Sequence, residues 1–411
     1  MSKAISRDAT VVVVGASLAG LRAAEEVRHE GHTGPVIIIG DEIHAPYDRP
    51  PLSKQLLAGK WDVARIHHHA PDVIDTLGLE FRLGRRATGL DLDSRTVLTD
   101  DGGVTGFDGL IVATGAAARP LPGTEGQAAV FTLRTLDDCL AIRQALESAG
   151  DRPRVVVIGA GFIGSEVAAT CRGLGAEVTV VEALPTPLGR VLGDEMGEAC
   201  AGLHRAKGVT VRTGVGVDRV SSDPGDGAAT VVHLADGTDL KADLVVVGIG
   251  VAPAVSWLEG SGLTLDNGVV CSESLFAADR VVAAGDIARW THTGLGEQLR
   301  VEHWTNAAEG GAAAARNLLA GSAAALPYDP VPFFWSDQYS TKIQVVGLPG
   351  PDDEVMVVEG SVEEGKLVAL YRRGDRLRAA LAFSRPRHLM AYRPLLAAGA
   401  TFDEALAVAR S

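Results

Sequence analysis

The chain has 411 residues, of which 46% are hydrophobic, and its formal net charge at pH 7 is −14. This composition predicts folded domains with a large core and excludes a wholly disordered chain, while the negative charge argues against general binding to nucleic acid or an anionic membrane. No apolar run reaches the ~18 residues that a membrane span requires, and the polar segment 1–10 shows no export signal, so we expect no membrane association and a cytoplasmic location.

The first predicted element is a run of valines at 11–14, which is typical of a strand buried on both faces of a parallel sheet. A glycine turn at 15–20, a helix at 21–29 and a second apolar strand at 36–39 follow it. The same order of strand, glycine turn, helix and strand recurs at 155–182. We therefore predict one strand–helix–strand unit that is present twice.

Each glycine turn leads into a helix N-terminus, where free N–H groups and the helix dipole favour phosphate. The first position allows a sharp turn, the second must be small so that a pyrophosphate can approach the backbone, and the third lets the helix pack on the strand. These positions are Gly15, Ser17 and Gly20 in the first unit and Gly159, Gly161 and Gly164 in the second. The alternative is that such a turn only closes a packing joint.

An acidic residue follows the second strand of each unit. Glu182 ends the strand of the second unit, where a carboxylate can accept hydrogen bonds from an adenosine ribose and repels a 2′-phosphate. We therefore predict that this site takes NADH rather than NADPH. Asp41 and Glu42 are candidates for the ribose-binding role in the first unit. Two glycine turns, each with a downstream acid, favour two dinucleotide sites over two packing joints.

Strand-like runs at 109–115, 242–250 and 280–286 end in turns that contain glycine. Asp286 follows the last strand and can bind a ribitol hydroxyl of a flavin, although a helix N-cap is the alternative. Together with two dinucleotide sites, this aspartate favours FAD beside a nicotinamide dinucleotide. The segment 221–227 predicts a hairpin tip, and the clustered aromatic and strand-like residues of 327–411 indicate a separate α+β domain.

Cysteine and histidine patterns give no further site. The four cysteines are Cys139, Cys171, Cys200 and Cys271. They form neither a C-x-x-C pair nor a zinc-like cluster, so we expect reduced thiols that are either buried or without a role. Three consecutive histidines occupy 67–69, but adjacent histidines rarely converge on one ion, so we predict no metal site.

Several longer motifs resemble the oxygenase-coupled NADH–ferredoxin reductases over nearly the whole chain. The motifs are 11–20, the Pro-Tyr-Asp-Arg-Pro-Pro-Leu-Ser-Lys run at 46–54, 113–115, 159–166, 284–286 and the Phe-Trp-Ser-Asp-Gln-Tyr run at 334–339. The resemblance implies an α/β, glutathione-reductase-like fold with two Rossmann-type dinucleotide-binding domains plus a C-terminal α+β domain. It implies an FAD-binding domain in two parts, 1–116 and 250–326, an NAD-binding domain at 117–249 and the C-terminal domain at 327–411.

The resemblance also implies cofactor contacts, residue by residue. For FAD these are Ala19, Asp41, Lys54, Ala87, Arg134, Asp286 and Trp304, and the motif residues Thr114 and Gly115 join the cofactor-binding set. For NAD they are Ile163, Gly164, Glu182, Arg190, Gly250 and Glu302. Trp335 matches an aromatic residue beside the flavin and the nicotinamide. Ala87 departs from the valine of other members, which a backbone contact would tolerate.

Three residues of the quoted motifs are candidates for catalysis: Lys54, Glu166 and Trp335. A lysine near the flavin can stabilise the negative charge of reduced FAD, and Arg49 can serve similarly. The alternative for Lys54 is a surface lysine on a loop. Glu166 can help to position the nicotinamide, or it can be a first-turn helix acid that the helix dipole stabilises.

The electrons need an external acceptor, because 41–54 contains no cysteine where related disulfide reductases and oxidases carry one or two. The resemblance implies a small [2Fe–2S] ferredoxin, which feeds a haem-thiolate monooxygenase or a ring-hydroxylating dioxygenase. Residues 366–393 include eight basic residues and one acidic residue, a net charge of +7 that leaves −21 for the rest of the chain. This asymmetry can steer an acidic ferredoxin, although a solvated strand face is the alternative. We expect a monomer or a weak homodimer.

Two other classes remain open. One is an NADH oxidase or a rubredoxin reductase of the same fold; the missing cysteine disfavours the oxidase, whereas the sequence separates ferredoxin from rubredoxin poorly. The other is a non-enzymatic flavoprotein that signals through a partner, which the lack of targeting signals and of long basic insertions disfavours. We predict an FAD-dependent NADH:ferredoxin oxidoreductase.

Overall fold

The computed structural model describes residues 3–222 and 229–410, so most of the hairpin tip predicted at 221–227 lies outside the described residues. The chain divides into two compact units. The first comprises Met1–Asp48, Ile66–Ala117 and Ala252–Pro332, and the second comprises Arg49–Arg65, Ala118–Val251 and Phe333–Ser411. Both units are therefore assembled from separate parts of the chain.

The described strands are, in chain order, β1 (Val11–Val14), β2 (Val36–Ile39), β3 (Glu80–Arg82), β4 (Ala87–Asp91), β5 (Thr96–Thr99), β6 (Val104–Gly106), β7 (Gly109–Val112), β8 (Ala116–Ala118), β9 (Val130–Thr132), β10 (Arg154–Ile158), β11 (Glu177–Glu182), β12 (Thr210–Thr213), β13 (Val217–Ser222), β14 (Thr230–Leu234), β15 (Asp239–Ala242), β16 (Leu244–Val247), β17 (Val251–Pro253), β18 (Val269–Cys271), β19 (Phe276–Ala278), β20 (Val281–Ala283), β21 (Ala288–His292), β22 (Glu297–Leu299), β23 (Phe333–Gln338), β24 (Thr341–Gly347), β25 (Glu354–Ser361), β26 (Lys366–Arg373) and β27 (Arg376–Phe383).

The described α-helices are α1 (Leu18–His29), α2 (Pro71–Thr76), α3 (Leu136–Ser148), α4 (Phe162–Gly173), α5 (Gly189–Ala206), α6 (Trp304–Ala320), α7 (Pro386–Met390), α8 (Arg393–Ala397) and α9 (Phe402–Ala409). Short 3-10 helices lie at Pro50–Ser53, Val63–Ile66, Ser256–Leu258 and Gly285–Ile287. None of the described helices is both long and apolar enough to cross a bilayer.

The main sheet of the first unit has the strand order β19-β20-β7-β1-β2-β3. Its central strand β1 pairs in parallel with β2 and β7, so that Val11 lies opposite Val36 and Gly109. All four valines of β1 are buried, as a strand covered on both faces requires. The chain leaves β1 for β2 and β3 on one side and later returns to β7 on the other. Such a reversal of strand order is where open parallel sheets bind ligands, beyond the carboxyl ends of the strands.

The second unit contains a parallel sheet in the order β12-β11-β10-β16-β9, in which the strand order also reverses at the central strand. Its central strand β10 pairs in parallel with β11 and with β16. The prediction of one strand–helix–strand unit present twice is therefore confirmed. The helix of the first unit begins slightly earlier than predicted, at Leu18, because the turn residues themselves enter its first turn.

The C-terminal part of the second unit is an antiparallel sheet in the order β23-β24-β27-β26-β25. One face of this sheet packs on α5, and buried apolar side chains such as Leu192, Met196 and Leu381 form the shared core. The helix is broken at Gly193, whose φ of 74° is not helical. The buried hydroxyl of Tyr371 donates to the Leu192 carbonyl beside this break at 2.9 Å, which satisfies a carbonyl at an interruption of the helix. The division into the segments 1–116, 117–249, 250–326 and 327–411 stays a prediction.

Candidate functional site

The glycine turn of the first unit is fixed by backbone packing. Gly15 has a φ of +117°, and a Cβ added there would lie 2.1 Å from the carbonyl oxygen of Ala113. A Cβ on Gly20 would lie 1.8 Å from the carbonyl oxygen of Gly15. Both positions therefore exclude every side chain. Ser17 between them is the N-cap of α1 and has extended backbone angles, so its replacement of a glycine strains nothing.

The turn at Gly285 packs against the glycine turn of the first unit. Gly285 has a φ of +75°, and a Cβ added there would lie 2.9 Å from the Cβ of Ala19. The 3-10 turn that carries Asp286 therefore lies beside the first turn of α1. Asp286 is the second residue of that turn and Ala284 is its N-cap, so the alternative of a helix N-cap for Asp286 is wrong.

The acids after β2 differ in their surroundings. Asp41 is exposed, whereas Glu42 is half-buried and accepts a hydrogen bond from the hydroxyl of Tyr47. On the other side of β1, the hydroxyl of Thr114 donates to the Ala254 carbonyl at 3.0 Å, and Gly115 has a φ of +68°. These residues border the carboxyl ends of the parallel strands of the first unit, where a dinucleotide is expected.

Three further predicted residues of the first unit lie on separate elements. Ala87 is buried at the start of β4. Trp304 opens α6, and its indole N–H donates to the Asp48 carboxylate at 2.6 Å. Glu302 forms an ion pair with Arg300 at 2.6 Å. The Arg300 guanidinium in turn donates to the backbone carbonyl of Asp286, so Glu302 is connected to the Asp286 turn through one arginine.

In the glycine turn of the second unit, two glycines are required by backbone packing and the third is not. A Cβ on Gly159 would lie 2.4 Å from the Gly248 carbonyl oxygen, and one on Gly164 would lie 2.1 Å from the Gly159 carbonyl oxygen. At Gly161 the nearest atom would be 4.0 Å away, and its φ of −71° suits any residue. The fold does not require glycine at this position. Smallness at Gly161 instead suits a pyrophosphate that approaches the backbone.

The Glu182 carboxylate lies at the end of β11, against this turn. One of its oxygens accepts the backbone N–H of Ala160 at 2.8 Å, and the other accepts the N–H of Leu184 at 2.9 Å. A carboxylate has about four acceptor positions. The side chain is therefore held in place and keeps acceptor capacity for two ribose hydroxyls.

Several of the predicted NAD residues in the second unit are exposed. Ile163, in the first turn of α4, is 48% exposed, and Arg190 in the first turn of α5 is also exposed. Gly250 is exposed with a φ of +98°. Its neighbour Ile249 is 38% exposed, and sequence reasoning missed it. An isoleucine between two glycines after a buried strand is the signal that could have identified it.

Lys54 and Glu166 form a buried ion pair in the second unit. The Lys54 ammonium lies 2.7 Å from the Glu166 carboxylate, and the two side chains are 11% and 3% exposed. The same carboxylate accepts the Ser53 hydroxyl, the Ser336 hydroxyl at 2.8 Å and the backbone N–H of Asp337 at 3.2 Å. These four donors match the acceptor capacity of a carboxylate. Lys54 is therefore not a surface lysine, and Glu166 is the fifth residue of α4 rather than a first-turn acid.

Ser53 and Ser336 are site residues that the sequence argument did not single out. Ser53 precedes Lys54 in the motif 46–54, and Ser336 follows Trp335 in the motif 334–339. Their positions in these motifs could have identified them as site residues. Trp335 alternates with Ser336 along β23, so its ring lies on the opposite face of the strand. That ring is half-buried and stacks on Phe333, with centroids 6.1 Å apart. Arg49 donates to the carbonyl of Arg134, which connects two predicted FAD residues of this unit.

The four cysteines are all buried. Each of the four is a free thiol in the described residues. Burial raises the pKa of each thiol, Cys139, Cys171, Cys200 and Cys271, to about 12. None of them is therefore suited to redox or nucleophilic chemistry, which requires the thiolate.

The basic segment 366–393 is partly neutralised by acids outside it. Arg372 pairs with Glu354 at 2.6 Å, Arg373 pairs with Asp353 at 2.7 Å and Arg385 pairs with Glu359 at 2.8 Å. Lys366 and Arg387 are exposed. The positive field of this segment is therefore weaker than its net charge in the sequence suggests.

Comparison with known proteins gives consistent matches over nearly the whole chain. Residues 9–311 match the family model described as pyridine nucleotide-disulphide oxidoreductase, and residues 333–411 match the one described as reductase C-terminal. The chain is 36% identical to putidaredoxin reductase CamA of Pseudomonas putida, over 92% of this chain and 89% of that protein. It is 35% identical to the ferredoxin–NAD(+) reductase component of the anthranilate 1,2-dioxygenase system of Burkholderia cepacia, over 95% of both chains.

Solved structures agree with these relatives. The reductase of the covalent putidaredoxin reductase–putidaredoxin complex matches with a TM-score of 0.89 and 34% identity, covering 95% of this chain and 93% of that one. The ferredoxin reductase for the CYP199A2 system of Rhodopseudomonas palustris matches with the same TM-score and identity, covering 96% of both chains. The α/β, glutathione-reductase-like fold implied by the sequence motifs is thereby confirmed.

Proposed function

We propose that this chain, which belongs to the pyridine nucleotide-disulphide oxidoreductase family, is an NADH-dependent ferredoxin reductase with FAD as its resident flavin. Relatives at 34–35% identity are named as ferredoxin reductase components of dioxygenase systems, and another at 36% identity is named putidaredoxin reductase. The observation that carries the proposal is the pair of glycine turns, each at the reversal point of its own parallel sheet. Two such sites in one chain suit two dinucleotides that react with each other.

The residues of the first glycine turn fit FAD. The turn from Gly15 to Gly20 leads into the N-terminus of α1, where the backbone N–H groups and the helix dipole favour a pyrophosphate. Asp286, whose turn lies against Ala19, supports the proposal because a carboxylate there can accept a ribitol hydroxyl. The remaining proposed FAD contacts are Ser17, Asp41, Glu42, Arg49, Lys54, Ala87, Thr114, Gly115, Arg134 and Trp304.

The residues of the second glycine turn fit NADH. The open space at Gly161 admits a pyrophosphate, and the held Glu182 carboxylate accepts ribose hydroxyls and repels a 2′-phosphate. Exposed Ile163 and Ile249 offer apolar surface beside this turn, on which a flat ring can pack. The remaining proposed NADH contacts are Gly159, Gly164, Arg190, Gly250, Glu302 and Trp335.

When bound, the flavin accepts a hydride from the nicotinamide and can release electrons one at a time. The chain contributes orientation and electrostatics. We propose that the Lys54 ammonium stabilises the negative charge that develops on the flavin. The Glu166 carboxylate is fully occupied by four donors, so it acts through Lys54 rather than by accepting a bond from the nicotinamide. Trp335 provides an aromatic surface for the reacting rings.

Electrons must leave the chain, because its four cysteines are buried thiols that offer no internal redox relay. The relatives support a ferredoxin as the acceptor. We propose that this ferredoxin carries a [2Fe–2S] cluster and serves a haem-thiolate monooxygenase or a ring-hydroxylating dioxygenase. We further propose a monomer or weak homodimer that works in the cytoplasm.

Three measurements test this function. The flavin released from the purified protein is identified by chromatography and mass, with FAD expected. Anaerobic NADH should bleach the yellow protein at a much lower concentration than NADPH. Steady-state turnover is then compared with a [2Fe–2S] ferredoxin, a rubredoxin or oxygen alone, and the ferredoxin should be fastest. A colourless protein, or one that NADH does not bleach, would overturn the proposal.

A further inference from the structure

A line of buried polar side chains continues from Glu166 into the C-terminal sheet of the second unit. Ser336 and Gln338 are two residues apart on β23, so they lie on the same face of the strand, and both are fully buried. His204 in the last turn of α5 is 3% exposed. Buried polar groups of this kind are costly unless each finds a partner.

Each of these groups has a partner, and the partners form a continuous chain. The Gln338 amide nitrogen lies 3.3 Å from the Ser336 hydroxyl, and its oxygen lies 3.1 Å from Nε2 of His204. Nδ1 of His204 lies 2.9 Å from the hydroxyl of Tyr339. We call Tyr339, His204, Gln338 and Ser336 the donor chain.

The donor chain has a single direction, which the chemistry of its members dictates. A carboxylate only accepts, so the Ser336 hydroxyl donates to Glu166 and accepts from the amide of Gln338. The Gln338 oxygen then requires an N–H on Nε2 of His204. Burial lowers the pKa of His204 to about 4, so the ring is neutral and its Nδ1 accepts the Tyr339 hydroxyl. Every hydrogen bond therefore donates toward Glu166.

Tyr339 occupies an unfavourable backbone position to reach this histidine. Its φ of 56° lies in the left-handed region, in the two-residue turn between β23 and β24. This region favours glycine and asparagine, and a bulky side chain there is strained. The strain is offset by the hydrogen bond and by an edge-on contact of the tyrosine and histidine rings, with centroids 5.3 Å apart. Such a residue indicates a role that a glycine could not fill.

We propose that Tyr339, His204 and Gln338 are positioning residues that polarise the Ser336 hydroxyl toward Glu166 and thereby hold the Lys54 ammonium for the reaction with NADH. Hydrogen bonds aligned head to tail strengthen one another. The effect of each member should therefore pass through Ser336 and diminish with distance from Glu166. This inference rests on the proposed function, because it uses the rate of flavin reduction as its readout.

The test uses the flavin-loaded protein and stopped-flow bleaching by saturating NADH. Ser336→Ala should lower the limiting rate by about tenfold, since it removes a hydrogen bond to a charged group. Gln338→Leu should lower it by about threefold, and Tyr339→Phe by about twofold, because each bond contributes only a fraction through its neighbour. The double variant Ser336→Ala/Tyr339→Phe should be no slower than Ser336→Ala alone. Independent packing effects would instead multiply.

Tyr371→Phe is the control, because it removes a different tyrosine hydroxyl, a buried one that connects the same sheet to α5 outside the donor chain. It should lower the melting temperature and leave the limiting rate unchanged. Multiplying effects in the double variant, or a wild-type rate in Tyr339→Phe, would overturn the inference. If Gln338→Leu does not fold, the other variants still decide. Failure of the wild-type protein to bleach with NADH would instead contradict the proposed function.

Discussion

The ammonium of Lys54 lies 2.7 Å from the carboxylate of Glu166, although 112 residues separate them in the chain. Both side chains are almost fully buried, and three other donors complete the shell of the carboxylate. A buried charge pair of this kind is expensive to desolvate. Its presence next to two specific sequence motifs indicates a function for the positive charge rather than a contribution to stability alone.

The variant Lys54→Ala should slow flavin reduction by NADH. The loss of a positive charge that faces developing negative charge should lower the limiting rate by about tenfold or more. The measurement is stopped-flow bleaching of the flavin over a range of NADH concentrations. Lys60→Ala removes an exposed lysine nearby in the sequence and serves as the control. Reduction of Lys54→Ala at the wild-type rate and affinity would remove Lys54 from the mechanism.

Alanine at Gly164 should reduce stability, whereas alanine at Gly161 in the same turn should reduce NADH binding. Gly164→Ala places a Cβ within 2.1 Å of a backbone oxygen, so it should lower the free energy of unfolding by about 2 kcal/mol. Gly161→Ala finds nothing nearer than 4.0 Å. It should leave the melting temperature unchanged and raise the Kd for NADH by about tenfold, because the methyl group blocks the pyrophosphate. Unaltered NADH binding in Gly161→Ala would argue that this turn holds no phosphate.

The variant Glu182→Gln should reduce the preference for NADH over NADPH. It weakens the hydrogen bonds to the ribose and removes the charge that repels a 2′-phosphate, so we expect the ratio of kcat/KM values to fall by about tenfold. Glu177→Gln, at the exposed other end of β11, is the control. An unchanged ratio would show that residues other than Glu182 determine the preference for NADH over NADPH.

The buried His204 should make the protein less stable in mild acid. Its folded pKa of about 4 lies below the ordinary value of 6.5, so the unfolded chain binds the proton first. Stability is fully present above about pH 6.5 and declines as the pH falls toward 4, by about 3 kcal/mol from this group. His303, whose pKa burial also lowers to about 4, acts in the same direction. Denaturant unfolding of wild type and His204→Gln at pH 7.5 and pH 5 checks this, and the variant should lose less stability. Parallel losses in both proteins would contradict the shift.

Ferredoxin reduction should depend on salt through the exposed charges of the segment 366–393. The double variant Lys366→Glu/Arg387→Glu should raise the KM for an acidic ferredoxin several-fold at low ionic strength, and the difference should vanish at high salt because screening removes it. Turnover with a small uncharged quinone should not change. Lys207→Glu, another exposed lysine, is the control. Equal behaviour of both variants would exclude the segment as a docking surface.

Local features of this protein follow from the sequence because each depends on a few neighbouring residues. The valine run of β1, the turn at Gly159 and the acid at the end of β11 each involve only a short stretch of the chain. The strands and helices of both units lie where these patterns predict them. The absence of a redox cysteine pair could also be predicted, because no two of the four cysteines have the spacing of a C-x-x-C pair. The long motifs at 46–54 and 334–339 identified the family for the same reason.

Contacts between distant segments were decided only by tertiary packing. The sequence gives no period or spacing that joins Ser53, Glu166 and Ser336, yet one carboxylate gathers them across 113 and 170 residues. Likewise, the exposure of Ile249 and the pairing of Arg372 with Glu354 depend on which elements become neighbours. A local sequence pattern reflects the preference of a short segment for helix, strand or turn. A buried hydrogen-bond network forms only when separate elements have packed together and excluded water.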